Sequence, residues 1–182
     1  EFKAHEVAAP LQALIEANLP VAPLSEMIDA REVEIGTSAP FAEEAAFWAY
    51  LEGTGGALMQ ASVAALGGPV SDGARDLGTA QALANYLLAI PALEAAGRHP
   101  LPDGRPEVVA SLADQGLARL SSADSALRGA PKALLPALRA AWRARSLLRQ
   151  ARRDPGRVST ATLGNAEIMR RGGILFRVLL GK

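Results

Sequence analysis

Glycine and proline divide this chain into segments rich in Ala, Leu, Arg and Glu, and this division constrains the fold more than any other feature. These residue types lose little conformational freedom on entering a helix. No run alternates apolar and polar residues with the period of two that a half-buried strand needs. The pattern therefore predicts an all-α fold. The predicted helices span residues 4–18, 23–35, 40–66, 71–96, 106–127, 131–152 and 159–180.

The length of 182 residues predicts one all-α domain over residues 1–182 with a core of its own. Residues 1–2 are not preceded by a methionine, and we interpret them as a cloning scar or the cut end of a longer protein.

Two of the predicted helices carry small residues every four positions, which lets helix backbones approach closely. The first row is Ala45, Ala49, Gly53, Ala57, Ala61 and Ala65. The second row is Ala80, Ala84, Ala92 and Ala96. We expect these two helices to form the centre of the bundle, packed against each other. The larger apolar residues nearby are predicted to fill the core: Phe41, Phe47, Trp48, Leu51, Leu58 and Met59.

The composition excludes several kinds of chemistry. The chain has no cysteine, so it has neither disulfides nor thiolate metal sites. His5 and His99 are far apart, which argues against a histidine metal site and favours solvated surface positions. The stretch Gly53 to Gly56 matches no phosphate-binding motif, and close packing or a bend explains it better. No histidine stands at an offset suited to activating a serine, and no apolar run approaches the ~20 residues of a membrane span.

Charge is unevenly distributed along the chain. Residues 1–118 hold 5 basic and 16 acidic side chains, whereas residues 119–182 hold 14 and 3. This asymmetry indicates either a surface for an anionic partner or two halves that neutralise each other. The predicted basic surface consists of Arg139, Arg143, Arg145, Arg149, Arg152 and Arg153. Nucleic acid is not expected there, because basic and apolar residues interleave and no DNA- or RNA-reading motif is present.

Two further segments allow more than one interpretation. Asp29, Arg31, Glu32 and Glu34 form a charged cluster, interpreted as a solvated face or an intrahelical salt-bridge set. Residues 167–182, EIMRRGGILFRVLLGK, combine apolar and basic side chains and would either complete the bundle or lie on a membrane.

Five stretches in order carry a resemblance to a known family. They are PLSEMIDAREVEI (23–35), YLEGTGGALM (50–59), LGG (66–68), DLGTAQALANYLL (76–88) and GRHPLP (97–102). Their succession resembles that of the squalene/phytoene synthase family. The resemblance implies an isoprenoid synthase-like helical bundle around an apolar cavity, here without the N-terminal helices of the full fold. The family's first aspartate-rich motif is then expected upstream of residue 1.

The family's second acidic motif is altered here. In the synthases it follows an asparagine in a form like NILRDVGED, and its acids hold magnesium against the substrate diphosphates. The corresponding run from Asn85 reads NYLLAIPAL, so the motif's acids fall on Ala89, Ala92 and Leu93. The resemblance therefore implies no catalytic residue and no metal site in this helix.

A narrower resemblance concerns the non-catalytic branch of the family, the mitochondrial complex I assembly factor and its bacterial relatives. It is carried by Gly78, Ala80, Gln81, Leu87, Ala89 and Pro91, and by Tyr50, Glu52 and Thr54. It implies a catalytically inactive protein that binds an isoprenoid or lipid, acts in respiratory complex I assembly, or does both. The implied cavity residues are Tyr50, Gly53, Thr54, Met59, Gln81 and Asn85. Tyr50 would either line a cavity or fill a core.

Several expectations follow for cofactors, partners and location. No cofactor is expected for an inactive member. The alternative is an active head-to-head prenyl transferase, or a prenyl diphosphatase, that uses magnesium with Glu94 or Asp76 in place of the lost acids. Expected partners are a lipid, a respiratory-complex protein and a peripheral anionic membrane surface, and an open cavity wall would favour a dimer. The expected location is the cytoplasm, with a peripheral position at the inner membrane as a variant.

Overall fold

The computed structural model describes residues 5–164, and every regular element in this range is helical. The all-α prediction is therefore confirmed. The α-helices are α1 (Ala8–Glu16), α2 (Ala22–Asp29), α3 (Glu44–Leu51), α4 (Ala57–Ala65), α5 (Asp72–Ala95), α6 (Pro106–Ala126), α7 (Leu135–Leu138), α8 (Ala144–Arg153) and α9 (Gly156–Ser159). No helix within residues 5–164 is long and apolar enough to span a membrane.

Helix α5 lies at the centre, in contact with α3, α4, α6, α8 and α9. It begins where predicted, because the Ser71 hydroxyl accepts a hydrogen bond from the Ala74 amide at 3.3 Å and so caps the first turn. Gly116 of α6 brings three helices together: a Cβ added there would lie 2.8 Å from Leu83 of α5 and 2.9 Å from Leu148 of α8. The main apolar core is formed around this junction.

Helices α3 and α4 are joined by a π-helical turn, Glu52–Gly56, so the predicted helix 40–66 is continuous from Glu44 to Ala65. The wide turn changes the register of the predicted small-residue row. Gly53, Ala57 and Ala61 are buried, but Ala45, Ala49 and Ala65 are exposed. The prediction of one continuous row was wrong for two reasons. The i→i+5 hydrogen bonding rotates Ala45 and Ala49 relative to the residues after the turn, and Ala65 is the last residue of α4.

The predicted packing of this helix against α5 is confirmed, but other residues make the contact. A Cβ added to Gly55 would lie 2.3 Å from the Ala82 Cβ, and one added to Gly78 would lie 2.2 Å from the Gly55 carbonyl oxygen. In the α5 row, Ala80 and Ala84 are buried whereas Ala92 and Ala96 are exposed. Glycine is therefore required where the two backbones meet, at Gly55 and Gly78.

The predicted helix 131–152 was wrong, because the structure breaks it into short pieces. Two 3₁₀ turns, Lys132–Leu134 and Arg139–Ala141, flank α7, and α8 starts only at Ala144. Pro136 has no amide hydrogen for the Lys132 carbonyl, which accounts for the break before α7. The predicted helix 23–35 likewise ends at Asp29 and is followed by a 3₁₀ turn, Glu32–Glu34.

The predicted start of helix 159–180 was wrong. Helix α9 ends at Ser159, and residues 160–164 are not helical. The remainder of that prediction, including residues 167–182, lies outside the described residues.

Candidate functional site

A cavity of about 670 Å³ lies between the α3–α4 helix, α5 and the α7 region, which is a size typical of small-molecule sites. Its apolar wall includes Leu51, Leu58, Met59, Ala82, Pro136 and Ala137. Ser62 and Ala140 complete the side next to α7. The cavity is adjacent to the close contact of Gly55 with Gly78, so the backbones of α5 and the π turn form part of its floor.

The structure places five of the six implied cavity residues on this wall: Tyr50, Thr54, Met59, Gln81 and Asn85. Gly53 is not among the lining residues. It packs against the end of α2, where an added Cβ would lie 2.7 Å from the Ala30 Cβ. Gly53 therefore serves helix packing, because the π turn directs it away from α5.

The positions that match the lost acidic motif divide into two groups. Ala89 and Leu93, one helical turn apart on α5, both line the cavity. Ala92 is exposed and is not part of the wall. Two side chains that would be acidic in the synthases thus present apolar atoms to this cavity.

Tyr50 combines the two roles that the sequence left open, because it lines the cavity and also belongs to a buried aromatic cluster. Its ring centroid lies 5.0 Å from that of Phe41 and 6.1 Å from that of Tyr86. The Phe47 and Tyr86 rings meet edge to face at 5.1 Å. The Tyr86 hydroxyl donates to the Pro100 carbonyl oxygen at 3.0 Å.

Both tyrosine hydroxyls are strongly biased toward the neutral form. Burial is the main cause for each, and it raises the pKa of Tyr50 and that of Tyr86 to about 12. The positive charge of Arg31 opposes the pKa shift at Tyr50, whereas the nearby Glu34 carboxylate adds to it.

Arg31 and Glu34 form the charged rim of the cavity. The Arg31 Nη1 atom lies 3.1 Å from Glu34 Oε2, and the Arg98 guanidinium approaches the same carboxylate at 3.7 Å. The Arg31 guanidinium also lies 5.6 Å from the centroid of the Tyr50 ring. Of the predicted charged cluster, Arg31 and Glu34 are the pair that forms among the described residues, and they pair across a 3₁₀ turn rather than within an α-helix. The pair also belongs to the site, which sequence analysis missed. The sequence signal that could have identified this rim was IDAR, residues 28–31, which is part of the stretch that carries the family resemblance.

The polar groups on α5 differ in how they are satisfied. The Gln81 Nε2 group donates to the Ala140 carbonyl oxygen at 3.0 Å, which ties α5 to the segment after α7. The Asn85 side chain, one turn further along α5, makes no hydrogen bond to another residue between 5 and 164. The Thr54 hydroxyl donates to the Tyr50 carbonyl oxygen at 2.6 Å and so satisfies a carbonyl next to the π turn.

The acids considered as substitutes for the motif lie elsewhere. Asp76 accepts a hydrogen bond at 3.0 Å from Arg119, which also pairs with Glu52 and lies 4.9 Å over the Trp48 ring. Glu94 is exposed, and neither Asp76 nor Glu94 lines the cavity. Among the described residues, no group of three or more His, Asp or Glu is arranged to hold a metal ion. This donor set does not fit the magnesium ions of the synthases, which need several carboxylate oxygens.

The predicted basic surface is only partly available to a partner. Arg145 pairs with Asp124 at 2.6 Å, and Arg152 pairs with Asp114 at 3.1 Å. Arg143 lies over the Trp142 ring at 6.0 Å, and Arg139 is half-buried in a 3₁₀ turn. Arg149 and Arg153 are exposed and form no ion pair within residues 5–164. His5 and His99 are both exposed, as predicted.

Comparison with known proteins gives one match. The family model described as squalene/phytoene synthase matches residues 2–153, which is most of the chain. The helical architecture is consistent with the isoprenoid synthase-like fold of that family. No curated protein and no solved structure matches the chain.

Proposed function

The chain belongs to the squalene/phytoene synthase family, and from this premise we propose that it is a non-catalytic member whose cavity binds an isoprenoid or a similar lipid. The observation that carries the proposal is the presence of Ala89 and Leu93 on the cavity wall, at positions where the resemblance implies acids. The largely apolar lining suits a hydrocarbon chain.

The physical reason is the charge of the diphosphate. Synthase chemistry requires magnesium, bridged by carboxylates, to stabilise the leaving diphosphate at the mouth of an apolar pocket. Glu34 is the one carboxylate on the described cavity wall, and it is already paired with Arg31. Alanine and leucine supply no metal ligand, so the described part of this cavity favours binding over diphosphate chemistry.

Pyrophosphate release tests the absence of catalysis. The full-length protein would be incubated with magnesium and farnesyl or geranylgeranyl diphosphate, with a squalene or phytoene synthase as the positive control. We expect no release above background from a sample whose helical circular dichroism shows that it is folded. Magnesium-dependent release would overturn the proposal.

A pair of variants on α5 tests whether the cavity is the binding site. Ala89→Phe fills the cavity, whereas Ala92→Phe adds the same bulk to an exposed position on the same helix. Displacement of a fluorescent farnesyl analogue by farnesol would measure affinity. We expect Ala89→Phe to weaken binding at least about tenfold, because the ring occupies volume that the ligand needs, while Ala92→Phe binds like wild type. Equal affinities for the two variants would place the ligand elsewhere.

We also propose that the protein acts in the assembly of respiratory complex I. The resemblance to the non-catalytic branch, through Gly78, Gln81 and Pro91, supports this role. Deletion of the gene should lower the amount of assembled complex on a native gel, and wild-type protein should restore it. If lipid binding is part of the role, Ala92→Phe restores assembly and Ala89→Phe does not. A deletion strain with normal complex I would argue against the assembly role.

The competing enzyme hypothesis needs a substitute acid. Asp76 is held by Arg119, and Glu94 is solvated beyond the wall, so neither is placed to hold metal in this cavity. Should turnover be found, Glu94→Gln would identify its source, because a residue with a purely structural role at a helix end would not control the rate.

A further inference from the structure

The hydrogen-bonding capacity left on the cavity wall is small and lies on one helix. Gln81 uses one of its two amide hydrogens on the Ala140 carbonyl, which leaves the other hydrogen and the side-chain oxygen. The Asn85 side chain forms no hydrogen bond within the described residues, so its amide hydrogens and its oxygen are all available. The two side chains are one turn apart and line the same cavity, and therefore they can contact one polar group together.

The two charged residues among the described residues that line the cavity have opposite signs. They are Arg31 and Glu34, and they pair at 3.1 Å. Arg98, which is outside the lining, also pairs with Glu34 at 3.7 Å, so the rim as a whole carries one extra positive charge. An anionic group held at Asn85 would lose its hydration while both guanidiniums remain engaged by Glu34, which is costly.

Three of the four hydroxyls on the described wall are already engaged. The Tyr86 hydroxyl donates to the Pro100 carbonyl. The hydroxyls of Thr54 and Ser62 donate to helix carbonyls at 2.6 Å and 2.8 Å. The fourth, that of Tyr50, lies near the Glu34 carboxylate at the rim. Asn85 is therefore the side-chain amide on the described wall that no other described residue engages.

We infer that the ligand is an uncharged isoprenoid or lipid with a single hydroxyl or carbonyl head, which Asn85 binds with Gln81 beside it, while the hydrocarbon chain lies against Leu58, Met59 and Leu93. This inference rests on the proposed function, because it assigns the class of ligand to the same cavity. It distinguishes this cavity from one built for a diphosphate, because no metal and no net charge take part in recognition.

Three probes with the same hydrocarbon chain and different heads test the inference: farnesene, farnesol and farnesyl diphosphate, the last in EDTA. Their affinities for the full-length protein would be measured by displacement of the fluorescent analogue. We expect farnesol to bind about 5- to 10-fold more tightly than farnesene, as one or two net hydrogen bonds allow. Farnesyl diphosphate should bind more weakly than farnesol.

Two substitutions at one position complete the test. Asn85→Leu should bind farnesol and farnesene with about equal affinity, and it should bind farnesene at least as well as wild type does. Asn85→Gln should keep much of the preference for farnesol. Asn85 is exposed, so neither change should disturb the fold.

The outcomes separate the two proposals. Tighter binding of farnesyl diphosphate than of farnesol, or an unchanged preference in Asn85→Leu, would overturn the assignment of the ligand class. Equal binding of farnesol and farnesene by wild type would overturn it too, while lipid binding itself would stand. If none of the three probes binds, the proposed function fails along with this inference.

Discussion

Three side chains on α5 account for most of what distinguishes this cavity chemically. Ala89 and Leu93 contribute apolar surface where the resemblance implies magnesium ligands, and Asn85 contributes a neutral amide. They lie along one side of the helix because residues four apart share a face. The described part of the cavity wall consequently presents apolar and neutral groups at these three positions.

The two tyrosines give a direct test of the buried aromatic wall. They are the only tyrosines in the chain, so the tyrosinate absorbance near 295 nm reports on them alone. Burial raises the pKa of both to about 12. We expect a titration midpoint near pH 12, while an unfolded sample should titrate near the ordinary value of about 10. A native midpoint near 10 would show that the wall is open to water.

The same shift makes stability depend on pH. The folded state holds these two protons more tightly than the unfolded state, so the contribution is complete below about pH 10 and is lost as pH rises through about 12. The urea concentration at the midpoint of unfolding should therefore be constant between pH 9 and about pH 10 and should decrease as pH rises from about 10 to about 12. In a Tyr86→Phe variant, whose remaining tyrosine is Tyr50, the fall should be smaller.

Gly78 tests the close approach of the two central helices. In Gly78→Ala the added Cβ would lie 2.2 Å from the Gly55 carbonyl oxygen and 2.5 Å from the Met59 Cβ, so the backbones must separate. We expect a loss of about 3 kcal/mol in the free energy of unfolding, measured by urea denaturation. The control is Gly104→Ala, because nothing lies within 4 Å of its added Cβ. A change of at most about 0.5 kcal/mol is expected there, and similar losses in both variants would contradict the packing.

Helix α5 continues through Pro91, although proline normally interrupts a helix. It runs from Asp72 to Ala95 with Pro91 inside it. Proline has no amide hydrogen for the Leu87 carbonyl, and its ring crowds the preceding turn. The helix persists because Leu83, Leu87 and Ile90 are buried in the main core, and tertiary packing outweighs local preference.

Pro91→Ala should therefore stabilise the protein. The substitution restores one helical hydrogen bond near a face that is already packed, and we expect the free energy of unfolding to rise by about 1 kcal/mol or more. Thermal and urea unfolding would measure the change. Pro69→Ala, in the exposed loop between α4 and α5, serves as the control and should give no gain. A destabilised Pro91→Ala would mean that the ring itself fills an essential space.

Taken across the molecule, the charge asymmetry is partly resolved by internal pairing. Arg119 pairs with Glu52 and Asp76, and Arg152 pairs with Asp114, so basic residues from the end of the chain neutralise acids from its beginning. Arg149 and Arg153 are left on the exposed side of α8 without an ion pair in the described range. An anionic membrane surface is the partner that we propose for them.

Vesicle sedimentation tests that proposal. The full-length protein should bind vesicles that contain phosphatidylglycerol. Binding should weaken between about 50 and about 300 mM salt, because the Debye length shortens from about 14 Å to about 6 Å. The double variant Arg149→Gln/Arg153→Gln should bind less at low salt. Arg105→Gln/Arg128→Gln removes the same charge elsewhere and should bind nearly as wild type. Equal losses in the two variants would indicate net charge alone rather than α8.

The sequence was sufficient for the features that depend on local preference and on order along the chain. The helices that the structure places at Glu44–Leu51, Asp72–Ala95 and Pro106–Ala126, and the order of the family motifs, were readable because propensity and motif spacing act over a few residues. The sequence also showed that disulfides and thiolate metal sites are excluded, because the chain has no cysteine, and it argued against a histidine metal site, because the two histidines are far apart. The resemblance also pointed to five residues of the cavity wall before any contact was known: Tyr50, Thr54, Met59, Gln81 and Asn85.

Other features became visible only from contacts between distant segments. The π turn at Glu52–Gly56 moved Gly53 away from the cavity and placed Gly55 against α5, which no count of four residues foresees. The rim at Arg31 and Glu34 exists because the chain after α2 folds back beside Tyr50. The pairing of each arginine with a particular acid, such as Arg119 with Asp76, likewise depends on which faces of the helices lie next to each other. Periodicity along one helix identifies its apolar face, but packing between helices determines what that face meets.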